Sequence, residues 1–167
     1  MEAMPDTPTS NSLLAIYLND HLAGSVVGIG LVRRARAANE GTDLGRDLTE
    51  AVAEIEALQA VLRRLMEYLD VAESRVKPAG AWLAEKLGRL KLNGRLRGYS
   101  PLSRVVELEG LCTGLAGQIL LWRAMGRTFG SGLPGFDFAA LAERADSQRR
   151  RLEAHRLDAA ETAFSGR

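Results

Sequence analysis

Four long runs of apolar residues, spaced alternately three and four apart, constrain this chain more than any other feature. The first holds Leu14, Tyr17, His21, Gly24, Gly28, Leu31 and Ala35, and the second Leu48, Val52, Ile55, Leu58, Leu62, Leu65 and Leu69. The third holds Val105, Leu108, Cys112, Leu115, Ile119 and Trp122, and the fourth Phe138, Leu141, Ala145, Gln148, Leu152, His155 and Ala159. Such spacing gathers each run on one helix face, while the alternation of β-branched and polar residues that marks a strand is missing. The expected class is all-α. A chain of 167 residues is too short for two comfortable cores, so residues 12–167 read as one helical-bundle domain. Residues 1–11, with Pro5, Thr7, Pro8, Thr9 and Ser10, read as a disordered or extended lead-in.

The spacing predicts helices over about Ser12 to Ala38, Arg46 to Leu69, Pro101 to just before Gly126, and Asp137 to Ala163. Gly41 and Gly45 end the first, and Ser100-Pro101 starts the third with a capping hydroxyl and a proline at the first helical position. The Gly126–Gly135 region, with four glycines and Pro134, breaks the third. Each stripe must be buried against the others, which makes a four-helix bundle. Short links join the first helix to the second and the third to the fourth, but the stretch from Asp70 to Ser100 is long, and Lys77 to Leu92 reads as an additional amphipathic helix within it. A hairpin, a long crossover and a second hairpin is the connectivity of ferritin-like bundles.

Three stretches carry a resemblance: Ile16-Tyr17-Leu18-Asn19-Asp20-His21-Leu22, Trp82-Leu83-Ala84-Glu85-Lys86-Leu87-Gly88-Arg89-Leu90-Lys91, and Ser100-Pro101-Leu102-Ser103-Arg104. Together they are similar to an uncharacterised bacterial family of small helical proteins described as ferritin-like by shape. The resemblance implies the bundle. It implies no chemistry and no functional residue.

Charge and cysteine content narrow the function classes. With 22 Lys and Arg against 21 Asp and Glu, the net charge of +1 argues against a nucleic-acid binder that is positive all over. A single cysteine, Cys112, excludes an intrachain disulfide and a thiolate zinc cluster, so a reduced, cytoplasmic protein is expected. Met1 to Asn11 has no basic residue and lacks the charged start of a secretory signal. The uncharged stretches Leu22–Val32 and Gly110–Trp122 fall short of the ~20 apolar residues of a membrane span and read as buried faces of soluble helices.

Di-iron bundles of the ferritin type need Glu-x-x-His on two helices, a spacing that puts both groups on one face. Neither His21 nor His155 has a glutamate three residues before it; Glu56-Ala57-Leu58-Gln59 is the nearest echo. No metal or other cofactor is expected. The candidate ligands that remain are Asp20 or His21, Glu54 or Glu56, Glu107 or Glu109, and Gln148 or His155, one choice per helix. His21 stands out because Gly24 and Gly28 share its stripe, each costing ~1 kcal/mol against alanine in a helix. Close approach of another helix is the favoured reason, with His21 bonded to Glu54 or Glu109; a small-ligand pocket is the other. Cys112, among Leu108, Leu111 and Leu115, reads as an inert buried thiol.

The crossover holds Arg75, Lys77, Lys86, Arg89, Lys91, Arg95 and Arg97, with Glu85 the one acid among them, beside a stripe of Trp82, Leu83, Leu87 and Leu90. Basic amphipathic segments meet protein partners, anionic membranes or nucleic acid. The favoured reading is that the apolar side covers the bundle while Lys and Arg stay in water; among functional roles, association through Trp82, Leu83, Leu87 and Leu90, edged by Lys86, Arg89 and Lys91, ranks first. The leading reading is a non-catalytic interaction or scaffold protein, a homodimer with room for a further protein partner. The runner-up is a degenerate ferritin-like metal or ligand binder, or enzyme, using His21, Asp20, Glu54, Glu56, Glu109 and His155. Peripheral binding to a membrane surface or nucleic acid through the crossover is third.

Overall fold

The computed structural model describes residues 10–74 and 100–165. They form four helices, α1 (Ser10–Ala38), α2 (Asp43–Tyr68), α3 (Pro101–Phe129) and α4 (Phe138–Phe164), with no strand among the described residues. The expected additional helix over Lys77 to Leu92 lies outside them.

The helix starts are chemical. Thr42 accepts a hydrogen bond from the Gly45 N–H at 3.0 Å, Ser100 from the Ser103 N–H at 3.1 Å, and Asp137 from the Ala140 N–H at 2.9 Å. Each cap satisfies an N–H with no partner inside its own helix. Three expected boundaries need correction: α2 starts at Asp43 rather than at Arg46, and two more differ. Ser10 and Asn11 belong to α1 rather than to a lead-in, and α3 runs through Gly126 to Phe129. The stop is Gly130, whose φ of +55° most side chains avoid, and whose N–H bonds back to the Gly126 carbonyl at 2.9 Å. Gly45 likewise sits inside the first turn of α2, where a Cβ would collide with the Asn39 carbonyl.

Two hydrophobic clusters fill the bundle. One gathers Leu18, Leu22, Leu58, Leu62, Leu65, Ile119, Trp122, Phe138 and Leu141; the other gathers Leu31, Val32, Leu48, Ile55, Val105, Leu108, Leu115 and Leu152. Between them Gln59 donates to the Ser25 hydroxyl at 2.8 Å, both residues being buried. The clusters fix the directions. The N-terminal half of α1 meets the C-terminal halves of α2 and α3 and the N-terminal half of α4. Neighbouring pairs are α1 with α2, α3 with α4, α1 with α3, and α2 with α4, all antiparallel. Consequently α2 and α3 run parallel, and the connection between them joins opposite ends of the bundle.

One expected seam is rotated. On α1 the buried residues are Leu18, Leu22, Ser25, Leu31, Val32 and Ala35, whereas Gly24 is exposed and Tyr17 and His21 are half-buried. The helix is apolar nearly all round, so its periodicity offers two stripes and tertiary packing selects one. The seams of α2, α3 and α4 lie where the spacing places them.

Candidate functional site

The bundle has two unlike walls. Across α2 and α4, Arg144 bonds Glu54 at 2.8 Å, Arg151 bonds Glu50 at 2.6 Å, and His155 meets Asp47 at 2.6 Å. Exposed pairs of this kind are worth about 0–1 kcal/mol each, so they set register more than stability. Across α1 and α3 the stretches Leu22–Val32 and Gly110–Trp122 bring no charge. Only 28% of the residues in the most apolar part of α1, and 44% of those in α3, are buried inside the structure. Ile16 and Leu120 are more than half exposed.

The sequence-derived ligand candidates do not assemble. Glu56 is taken by Arg33 at 2.5 Å, Glu54 by Arg144, and His155 by Asp47; Asp20 and Glu109 are exposed. Gln59, the amide of the Glu-x-x-Gln echo, is held by Ser25 and by Arg63 at 2.5 Å. Among the described residues no three His, Cys, Asp or Glu side chains could hold one metal ion. The association candidates Trp82, Leu83, Leu87, Leu90, Lys86, Arg89 and Lys91 lie outside the described residues.

His21 bonds to neither Glu54 nor Glu109. Its ring meets Tyr17 edge-on, with centroids 4.6 Å apart. Close helix approach does not explain Gly24 and Gly28 on its helix, since a Cβ on either would meet nothing within 4 Å, and the same holds for Gly114 and Gly117 on α3. Gly110 is the tight position, with Leu31 Cδ2 3.1 Å from a Cβ built there. Burial holds the His21 imidazole below its usual pKa, opposed by the neighbouring Asp20. The unfolded chain therefore takes up a proton at a higher pH than the folded one. Stability contributed by neutral His21 is present above about pH 6.5 and is lost as the pH falls through the unfolded value towards the folded one. Thermal melts between pH 7.5 and 5.5 should show this acid-side loss, and His21→Gln should flatten it.

Burial first, and Glu153 second, push the Cys112 thiol up to about 11. At pH 8 its thiolate fraction is then on the order of one in a thousand. Alkylation of the native protein should be slower than that of the unfolded chain by about two orders of magnitude; equal rates would show an open site.

Two features escaped the sequence, and a third, the burial of the candidate Glu107, changes its role from ligand to ion-pair partner. Glu107 is buried on α3 and bonded through Oε1 to Arg34 at 2.9 Å, while its Oε2 has no partner among the described residues. The Asn19 side chain ties the chain beyond α2 to α1, donating to the Ala72 carbonyl at 3.1 Å and accepting from the Ser74 N–H at 2.7 Å. An aromatic ladder of Trp122, Phe138, Phe136 and Tyr68, with Arg64 5.3 Å above the Phe136 ring, closes one end of the bundle. These are long-range pairings, which spacing along one helix does not encode.

By length and composition, Asn11–Ala38 and Pro101–Phe129 are long and apolar enough to cross a membrane, although their uninterrupted uncharged stretches are short. Core helices of bundles share this length and composition. No family model, curated protein or solved structure matches the chain, so the likeness to the ferritin-like family gains nothing from these comparisons.

Proposed function

We propose that this chain is a non-catalytic interaction or scaffold protein of ferritin-like connectivity, working as a homodimer in the cytoplasm. The observation that carries the reading is the contrast between walls: α2 and α4 are laced by ion pairs, while the uncharged stretches Leu22–Val32 of α1 and Gly110–Trp122 of α3 lie in apolar segments of which 28% and 44% of the residues are buried. Apolar surface of that extent marks an association face. What supports the ferritin-like connectivity is the parallel course of α2 and α3 between two antiparallel hairpins. The degenerate metal-binding alternative has its acids engaged by arginines or exposed at separate places.

Two measurements test the reading. Light scattering of the full chain should give a dimer, and elemental analysis of protein purified without chelator should find metal well below one ion per chain. Two metal ions per chain, lost on Glu56→Ala and Glu109→Ala, would replace it with the metal-binding alternative.

A further inference from the structure

The side of α1 turned away from Leu18, Leu22 and Ser25 carries a second helical stripe, flanked further along by buried Leu31 and Ala35. It consists of Ile16, Asp20, Ala23, Val27, Gly30 and Arg34, again three and four residues apart. Ile16 is 57% exposed, and Asp20, Gly30 and Arg34 are exposed too, while Ala23 and Val27 between them are half-buried. A Cβ on Gly30 would meet nothing within 4 Å, so no neighbour inside the bundle explains a glycine there. Asp20 and Arg34 stand at equal sequence distance on either side of Val27, with opposite charges. Asp20 makes no hydrogen bond or ion pair among the described residues. Arg34 uses Nε towards Glu107, which leaves its terminal nitrogens as donors.

A two-fold axis makes an interface in which residue i meets j while j meets i. For an antiparallel pair of α1 helices with the axis at Val27, Asp20 of one copy meets Arg34 of the other, twice. Val27 meets its own counterpart, and Ala23 and Gly30 let the backbones approach. A parallel pairing would set Asp20 against Asp20 and Arg34 against Arg34. We propose that a second copy of this chain docks antiparallel along this outward stripe, with Val27 on the two-fold axis. This rests on the interaction reading above and assigns it a surface and a partner.

The stripe makes a specific cross-linking demand, because a residue on a two-fold axis faces itself. In a Cys112→Ser background, Val27→Cys should oxidise readily to a disulfide-linked dimer of the full chain. A cysteine at exposed Thr49 on α2 should not. In the native background, Asp20→Lys sets lysine against Arg34 at two symmetric contacts and should weaken dimerisation by about tenfold or more, with helicity unchanged. A dimeric wild type whose Val27→Cys variant cross-links no faster than Thr49→Cys would overturn this surface and leave the interaction reading standing. So would a dimer indifferent to Asp20→Lys but dissociated by Trp82→Asp, which would move the interface to the crossover. A wild type monomeric at every concentration would overturn both.

Discussion

Replacing Trp122 with alanine should cost about 3–5 kcal/mol, the largest loss expected from any single truncation here. The residue is 1% exposed and packs in the cluster that joins all four helices, stacked on Phe138 with ring centroids 6.4 Å apart. Truncation removes an indole from a site whose walls come from separate helices and cannot collapse together. Among the described residues the indole N–H has no acceptor, which makes a second variant informative. Trp122→Phe keeps most of the packing and removes the orphaned donor, so its loss should be less than half that of alanine. Denaturant unfolding of both variants, read by circular dichroism, checks the ratio. Equal losses would mean that the indole N–H is satisfied in solution.

The second large effect is an asymmetry between the partners of one ion pair. Glu107 is 5% exposed and Arg34 is its bonded partner, but the Arg34 side chain is 44% exposed. Removing the cation strands a buried carboxylate; removing the acid leaves a cation that can turn to water. Breaking a buried pair costs about 3–5 kcal/mol, and the half-exposed partner reduces that to about 2 kcal/mol for Arg34→Met. Glu107→Met should cost less than about 1 kcal/mol, and the double variant should recover most of the Arg34→Met loss. A double-mutant cycle by urea unfolding measures all three. Equal losses from both single variants would contradict the placement of Glu107 in the interior.

Most of the fold was legible in the sequence: the seams of α2, α3 and α4 fell where the spacing put them, that of α3 even though this helix is apolar nearly all round. On α2 and α4 charge and apolar residues segregate, so Leu48, Leu58, Leu65, Leu141 and Leu152 announce the buried face unaided. On α1 nearly every turn offers an apolar residue on each side, and the stripe through Tyr17, His21 and Gly24 is as regular as the buried stripe through Leu18, Leu22 and Ser25. Only the neighbouring helices decide between them. Caps were legible for the same local reason: Ser100 and Pro101 carry the start of α3 in their own chemistry. Gly126 misled because a glycine tolerated in a helix reads the same as one that ends it, and only the positive φ at Gly130 separates the two. Of the candidate site, residue types were legible and company was not. Glu54, Glu56 and His155 read as possible ligands until Arg144, Arg33 and Asp47 are seen beside them.

Sedimentation equilibrium of the full chain tests the central claim most directly, because α1 and α3 have apolar surface that the bundle does not bury. The chain mass is 18.1 kDa. The interaction reading predicts a reversible monomer–dimer equilibrium approaching twice that mass at micromolar concentration, shifted to monomer by Ile16→Asp without loss of helicity. A wild-type chain that sediments as a monomer at all concentrations up to about 1 mM would contradict it.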